Sequence, residues 1–399
     1  LIGVDNDADQ PGERERFVHL VEGSDSGWRC NFQYMKTNSP WMREGFWKPH
    51  FPEQAAHLLP PRLSYSDGPA GFKFNPGTAL GEAQQELFLL NEFPSGKMRG
   101  FRVEPEGATY KMADARILND GVMGIGLSWQ PDGSLMMVDW IGGYPLDELG
   151  ALWRVDAKEG ARNPLRAETQ EILAGGFAGR SHLELLARLG HADQRVRQGA
   201  QFELAQRGRA AELLAVARAV LAAPLARVHA LWGFGQLLRR GAAEAAGVLA
   251  LLRDPEAEIR AQTAKILGDA ATTGAREAGE ALRPLLTDES PRVRLQAAIA
   301  LGKHADPAAV DPLFAFAEKD ATDPVLRHAA VYGLAGCATP AQLAARILHP
   351  AAHVRKVAVV ALRRQAAPAV VQYLHDADPV VVEDAARAIH DDRGIPAAL

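Results

Sequence analysis

A run of alternating carboxylates near the start of the chain has the composition of a calcium site. Asp5, Asp7 and Asp9 are separated by single residues. Carboxylates that converge on one point need a cation to offset their repulsion, and hard oxygen ligands suit Ca²⁺. The run is not an EF-hand, because Gln10 replaces the glycine of that loop and Arg16 replaces its last glutamate. A solvated acidic turn, neutralised in part by basic neighbours, is the alternative.

Other signatures of chemistry are sparse. His349 and His353 are four residues apart, but Pro350 between them disfavours the shared helical face that a zinc pair needs. The sequence has no Cys-x-x-Cys-His haem motif, Walker loop, dinucleotide fingerprint or Gly-x-Ser-x-Gly elbow. The residues alone therefore predict no catalytic group.

The composition divides the chain into two unlike parts. Residues 1–157 carry 22 acidic and 14 basic side chains and most of the aromatic residues, whereas residues 158–399 carry 27 and 30 and are rich in Ala, Leu, Arg and Val. This contrast is typical of sheet followed by helix. No run of five Lys or Arg indicates a nucleic-acid site, and no apolar run approaches the roughly 18 residues of a membrane span.

Short apolar runs between Gly, Pro and Asn turns predict antiparallel strands in residues 1–157, in units of about 40 to 50 residues. Such units are typical of β-propeller blades, and Phe17–Glu22 predicts an earlier one. Because a ring takes at least four blades, we expect either missing blades or an open stack. The runs are Gly71–Gly77, Glu86–Glu92, Met98–Val103 and Thr109–Met112, then Gly124–Trp129, Leu135–Trp140 and Ala151–Asp156.

Several of these stretches carry a family resemblance. Glu22–Trp28 and the hairpin Leu87–Val103 resemble elements of pyrroloquinoline quinone (PQQ)-dependent glucose/sorbosone dehydrogenase propellers. Val4–Asp9, Asp25–Arg29 and Gln130–Trp140 resemble large proteins labelled membrane-bound dehydrogenases, which combine a propeller, HEAT repeats and a C-terminal cytochrome c domain. The resemblance implies that this chain is a fragment of such a protein, with a periplasmic or other extracytoplasmic location.

The resemblance also implies site residues. Trp28 matches a tryptophan that lines the cofactor and substrate cavity, and Lys97 falls near a lysine that contacts PQQ. The arginine pair that holds the cofactor carboxylates in the family is replaced here by Met123 and Ile125. A tricarboxylate quinone needs fixed positive charge, so this departure puts PQQ binding in question. The implied cofactors are PQQ and Ca²⁺, and the implied electron acceptor is a cytochrome c.

The second half repeats one pattern: an apolar helix, a turn with Asp and often Pro, then a helix opened by an apolar–basic pair. Helix pairs that bury one face on the next pair form an α-solenoid. The pattern resembles HEAT repeats, whose helix-start Arg reaches the loop Asp of a neighbouring repeat; His229 and Val382 depart from this ladder. The anchors are Val196–Arg197, Val228–His229, Ile259–Arg260, Val293–Arg294, Leu326–Arg327, Val354–Arg355 and Val381–Val382.

The sequence therefore predicts a multi-domain β + α chain, a partial β-propeller of two to three blades followed by an α-solenoid of HEAT-type repeats. Residues 1–157 are the propeller blades, 158–164 a linker and 165–399 the solenoid, whose inner helices we expect to line a concave surface. Two functions remain open. One is a sugar or alcohol dehydrogenase that passes electrons to cytochrome c, with the solenoid as a scaffold; the other is a non-catalytic propeller that binds a glycan or protein.

Overall fold

The strands lie in the first part of the chain, as the composition predicts. A computed structural model describes residues 1–6, 14–27, 40–51, 54–143, 145, 147–271, 275–391 and 395. Its strands are β1 (Ile2–Val4), β2 (Arg16–His19), β3 (Leu63–Ser64), β4 (Pro69–Phe74), β5 (Phe88–Glu92), β6 (Lys97–Glu106), β7 (Thr109–Asp120), β8 (Gly124–Trp129), β9 (Leu135–Asp139) and β10 (Ala151–Val155).

These strands form three antiparallel sheets, ordered β1-β2-β3, β4-β5-β6-β7 and β10-β9-β8. The second sheet is a meander over the four runs that the sequence predicts for one blade. Tight turns join its long strands, and Gly107 between β6 and β7 has φ +58, a conformation that glycine adopts without steric cost. The Pro-Asp-Gly turn between β8 and β9 ends in Gly133 at φ +82. The predicted strands and turns of both units are confirmed.

The three sheets stack face to face, with the second in the middle. Phe17 of β2 meets Phe101 of β6 edge-on at 5.5 Å between ring centroids. On the opposite side, a cluster that includes Leu87, Leu135 and Met137 packs the second sheet against the third. Neighbouring sheets thus bury each other's faces as blades do. The described strands form no closed ring, so the structure supports small stacked sheets and not a complete propeller.

All described α-helices except the first, which lies between β2 and β3, follow the strands, and each anchor pair of the sequence pattern lies in the first turns of a helix. They are α1 (Pro40–Glu44), α2 (Pro164–Gly175), α3 (His182–Arg188), α4 (Gln194–Gln206), α5 (Ala210–Arg218), α6 (Pro224–Arg239), α7 (Ala257–Asp269), α8 (Ala275–Leu282), α9 (Pro291–His304), α10 (Val310–Asp320), α11 (Pro324–Cys337), α12 (Pro340–Ala344), α13 (Ala352–Arg364) and α14 (Pro379–Asp391). Short 3₁₀ turns, such as Leu249–Arg253 and Pro368–His375, replace parts of the connecting helices.

The anchor-bearing helices α4, α6, α7, α9, α11, α13 and α14 pack side by side in chain order, and we call them the anchor layer. The shorter helices and 3₁₀ turns form an outer layer, and the two layers bury a continuous core of Ala, Leu, Val and Ile. Starts are fixed locally: Asp323 accepts hydrogen bonds from the first turn of α11, and Pro324 is its first residue. The predicted solenoid is confirmed.

Candidate functional site

The predicted dehydrogenase residues do not assemble into a site within the described part of the chain. Trp28, Asp7 and Asp9 lie outside the described residues. Lys97 is the first residue of β6, half-buried, and is paired in register with a residue of β5 and one of β7. No hydrogen bond or ion pair between Lys97 and Asp5 is present among the described residues.

The two positions at which the family has arginines that hold the carboxylates of the cofactor carry no charge in this chain. Met123 directly precedes β8, and Ile125 is 39% exposed on that strand. Aliphatic side chains cannot form the charge-assisted hydrogen bonds that a tricarboxylate requires, so the residues present do not fit PQQ in the way the family binds it.

Asp5 has a different partner from the one predicted. Its carboxylate accepts hydrogen bonds from the backbone NH of Arg16 at 2.9 Å and from the Arg16 Nε at 2.7 Å. The Arg16 side chain is 1% exposed and its guanidinium also donates to the carbonyl of Ser26. The described residues contain no group of three or more His, Cys, Asp or Glu that could hold a metal. With Asp7 and Asp9 outside those residues, the calcium site stays a prediction.

The repeat loops are held by a recurring arginine geometry. In α7, the Arg260 Nη1 donates to the carbonyls of Asp254 and Pro255 at 2.9 and 3.2 Å, which fixes the loop before its own helix. Its Nε and Nη2 reach forward to the Asp288 carboxylate at 2.8 and 2.9 Å. The equivalent pairs are Arg294 with Asp320 and Arg355 with Asp376. The predicted ladder is therefore present.

The ladder departs from the prediction at α4, α6 and α11. Arg227, two residues before His229, supplies the α6 rung by pairing with Asp254, so His229 does not weaken it. Among the described residues, Arg197 of α4 donates only to backbone carbonyls and forms no ion pair. Arg327 of α11 also lacks a carboxylate partner there, because its forward partner position is His349 instead of Asp. Arg327 is 7% exposed, and its Nε and Nη2 have no hydrogen-bond partner among the described residues.

The β-sheet half lies directly on the anchor layer from α9 to α14. Lys303 of α9 forms an ion pair with Glu22 at 2.5 Å, and the Nε2 of His328 lies 2.8 Å from the Glu22 carbonyl. Arg364 of α13 donates to the carbonyl of Gly23 at 2.9 Å. The contact continues to the end of the solenoid, where the Ala56 NH donates to Asp384 at 3.0 Å. We call α9, α11, α13 and α14 the covered part.

Over α4, α6 and α7, which we call the open part, the same face carries a groove. Two adjoining cavities of about 280 and about 450 Å³ share Phe202, Gln236 and Arg239. A third, of about 530 Å³, shares Trp232 and continues beneath the first sheet. The groove is lined by Gln198, Phe202 and Gln206 of α4, by Trp232, Gln236, Arg239 and Arg240 at α6, and by Lys265 and Asp269 of α7.

A hydrogen-bonded network fixes the indole of Trp232 in the groove wall. Its Nε1 donates to Gln262 at 2.8 Å, and the Gln262 amide donates to Glu258 at 2.6 Å. The ring of His229 meets the indole edge-on at 5.1 Å, and the His229 Nδ1 lies 2.8 Å from the Gln201 Oε1. Burial lowers the pKa of His229 to about 4, so its imidazole is neutral at pH 7. The groove is thus preorganised on this side.

Asp269 is the carboxylate that basic side chains of the groove contact. Lys265 and Lys303 donate to its carboxylate at 2.7 and 2.6 Å. Burial opposes ionisation of Asp269, but these hydrogen bonds outweigh it and the pKa of the carboxyl is lowered. Lys303 also reaches Glu22, so it joins the groove to the covered part.

Sequence reasoning did not single out the groove residues. The available signal was an aromatic side chain flanked by amides at i, i+4 and i+8 of one helix, Gln198, Phe202 and Gln206. Such residues share a helix face, and Phe202 is 53% exposed there. A helix that faced only the core would carry apolar residues at these positions.

Comparison with known proteins finds a match within the helical part. A family profile for HEAT repeats matches residues 245–335. A chain in the structure of the complex of CpcE and CpcF of phycocyanin lyase from Nostoc sp. PCC7120 is 17% identical to this chain. The match covers 55% of this chain and 95% of that chain, with a TM-score of 0.32. An engineered protein is also 17% identical; the match covers 55% of this chain and 98% of that chain, with a TM-score of 0.32. No curated protein matches the chain.

No helix in the described part of the chain is both long and apolar enough to cross a membrane.

Proposed function

We propose that this chain is a non-catalytic protein-binding scaffold whose HEAT repeats receive a polypeptide segment in the groove of the open part. The observation that carries the proposal is the exposed ring of Phe202 beside Gln198, Gln206 and Gln236, whose amides make no hydrogen bond to any described residue. An amide both donates and accepts, so it can pair with the NH and C=O of a bound peptide backbone. Aromatic side chains supply the apolar contact area that dominates protein interfaces.

The covered part supports the same proposal. There the anchor layer already binds polypeptide, namely the chain's own loops, through backbone carbonyls and acidic side chains. In the open part, the start of α4 contacts the β-sheet half through Gln194 and Arg195, but Phe202 further along the same helix is 53% exposed.

The test is selection from a random-peptide phage library on the immobilised protein. We expect enrichment on the wild type that is lost on Phe202→Ala and on Gln236→Ala. The matched control is Leu183→Ala, because Leu183 is a 67% exposed side chain of α3 outside the groove. Enrichment that is equal on wild type and Phe202→Ala would contradict the proposal.

The dehydrogenase hypothesis, with PQQ, a cytochrome c partner and a periplasmic location, stays a prediction of the family resemblance. Met123 and Ile125 argue against PQQ, and the pairing of Asp5 with Arg16 leaves the calcium hypothesis to the carboxylates outside the described residues. Quinone absorbance after incubation of the protein with PQQ and calcium would revive this hypothesis. An unchanged melting temperature at saturating chelator would remove the calcium site.

A further inference from the structure

We infer that the polypeptide bound in the groove is an acidic, extended segment whose carboxylates pair with Arg239 and Arg240. This inference rests on the proposed function and names the chemical class of the partner. It is carried by the juxtaposition of two arginines, an exposed aromatic ring and unpaired amides around one cavity.

The charges of that cavity are one-sided. Phe202, Gln206, Gln236, Arg239 and Arg240 line it, so it contains two cations and no carboxylate. The Arg239 side chain is 52% exposed and lies 3.9 Å from Asp269, which two lysines already hold at shorter distances. Arg240 makes no ion pair with any described residue. A guanidinium presents a fork of donors that matches a carboxylate in two parallel hydrogen bonds. Both arginines can therefore bind a carboxylate of a partner without breaking a short ion pair within the protein.

The spacing of the polar groups suits extended chain. Gln198, Phe202 and Gln206 recur every four residues on α4, and Trp232, Gln236 and Arg240 do so along α6. A helix rises about 1.5 Å per residue, so equivalent groups are about 6 Å apart. Side chains on one face of an extended peptide repeat at about 6.5 to 7 Å. Successive groups of the groove therefore stay within reach of successive same-face residues over the short length of the cavity.

Nucleic acid is the competing polyanion, and the small number of cations in the groove favours peptide. The cavity offers two arginines without a short ion pair to a described carboxylate, where a nucleic-acid site requires a basic stripe that follows many phosphates. The structure thus supplies enough positive charge for one or two carboxylates.

The test uses fluorescence anisotropy with synthetic peptides of one sequence that carry an aromatic residue flanked by Glu, Gln or Lys, together with a labelled oligothymidine. We expect the Glu peptide to bind at least tenfold more tightly than the Gln peptide, with affinity that falls as salt is raised. The double variant R239E/R240E should reverse the preference toward the Lys peptide. The control R253E/K319E makes the same change of net charge with exposed residues of the outer layer and should leave the preference unchanged.

The outcomes separate the two proposals. If the Gln or Lys peptide binds as tightly as the Glu peptide and Phe202→Ala abolishes the binding, the scaffold function stands and the acidic partner is overturned. If oligothymidine binds more tightly than the Glu peptide, the acidic partner is likewise overturned. If neither any of these peptides nor a phage-displayed peptide binds in a Phe202-dependent manner, the proposed function itself fails.

Discussion

The covered and open parts of the anchor layer are built from the same repeat, yet the side chains on their exposed faces have different partners. In the covered part, cations such as Lys303 and Arg364 are committed to the loops of the β-sheet half. In the open part, Arg239 lies 3.9 Å from Asp269, Arg240 forms no ion pair with any described residue, and Phe202 remains half exposed. The difference supports the proposal that the repeat face binds polypeptide, of which one portion is used internally and the other remains available.

The ladder is interrupted in both parts. Arginines of α6, α7 and α9 each pair with a carboxylate. Among the described residues, Arg197 of α4 in the open part and Arg327 of α11 in the covered part form no ion pair, and His349 stands at the partner position of Arg327. The β-sheet half packs close to the interrupted rung of α11, since a side chain added at Gly107 would meet Asp323 at the start of that helix. The repeat interface without its ion pair is thus supported from outside the solenoid.

The largest expected effect concerns how closely the helices approach in the two parts. A methyl group at Gly336 of α11 would lie 2.1 Å from the carbonyl oxygen of Gly302, whereas at Gly235 of α6 it would meet a side-chain methyl of Ile266 at 2.8 Å. Backbone cannot move aside as a side chain can. We expect Gly336→Ala to lower the free energy of unfolding by about 3 kcal/mol and Gly235→Ala by less, about 1 to 2 kcal/mol, measured by urea denaturation.

Equal costs at the two positions would show that the parts are packed alike. Gly179→Ala is the control for the change in backbone entropy, because a methyl group there meets nothing within 4 Å.

Acidification tests the neutral histidines that the fold buries. Burial lowers the pKa of His229, in the open part, to about 4, while the unfolded chain titrates near its ordinary value of about 6.5. Between pH 7 and pH 5 the unfolded state binds a proton that the folded state does not, so stability falls as pH is lowered. We expect this histidine to contribute about 1 to 2 kcal/mol to that loss.

His229→Gln should flatten the dependence of the urea midpoint on pH between 7 and 5. The buried His19 of the β-sheet half, whose pKa burial also lowers to about 4, provides the corresponding test there. An unaltered slope in His229→Gln would mean that this ring is not buried in solution.

Restoring the interrupted rung should stabilise the covered part. His349 already accepts the NH of Ala351 through Nδ1 at 3.2 Å, as Asp254 accepts the NH of Glu256 at 2.9 Å, so Asp fits the turn. The guanidinium of Arg327 is desolvated in any case, and burial lowers its pKa. We expect His349→Asp to raise the free energy of unfolding by about 1 kcal/mol.

The gain should vanish when Arg327 is replaced by Met, which a double-mutant cycle would measure. A loss of stability in His349→Asp would contradict the assignment of this position to the ladder.

The smallest effect concerns the contact between the two halves. Lys303→Met removes the ion pair with Glu22 and leaves Asp269 with Lys265. Glu22 is partly exposed, so we expect a loss of less than about 1 kcal/mol in global stability. Hydrogen exchange of residues 20–25 should nevertheless rise, because their cover depends on this contact. Lys319→Met, at an exposed position on α10, should change neither quantity.

The sequence alone determined the local elements. Turn residues such as Pro131 and Gly133, and helix starts such as Asp323–Pro324, act over a few residues, so their patterns predict strands and helices at nearly the observed bounds. The recurrence of the apolar–basic anchor also predicted the ladder, because each rung joins adjacent repeats.

Only the tertiary structure decided which face of the solenoid is covered. The contacts of Glu22 with Lys303 and of Ala56 with Asp384 join residues about 280 and 328 positions apart, and no local pattern encodes such a pairing. The groove could not be predicted for the same reason, that distant residues form it. From the sequence alone, Phe202 is expected in the core, and only its position beside exposed residues of α6 shows that it lines a groove. Side chains gain their roles from what packs against them, and that depends on the whole chain.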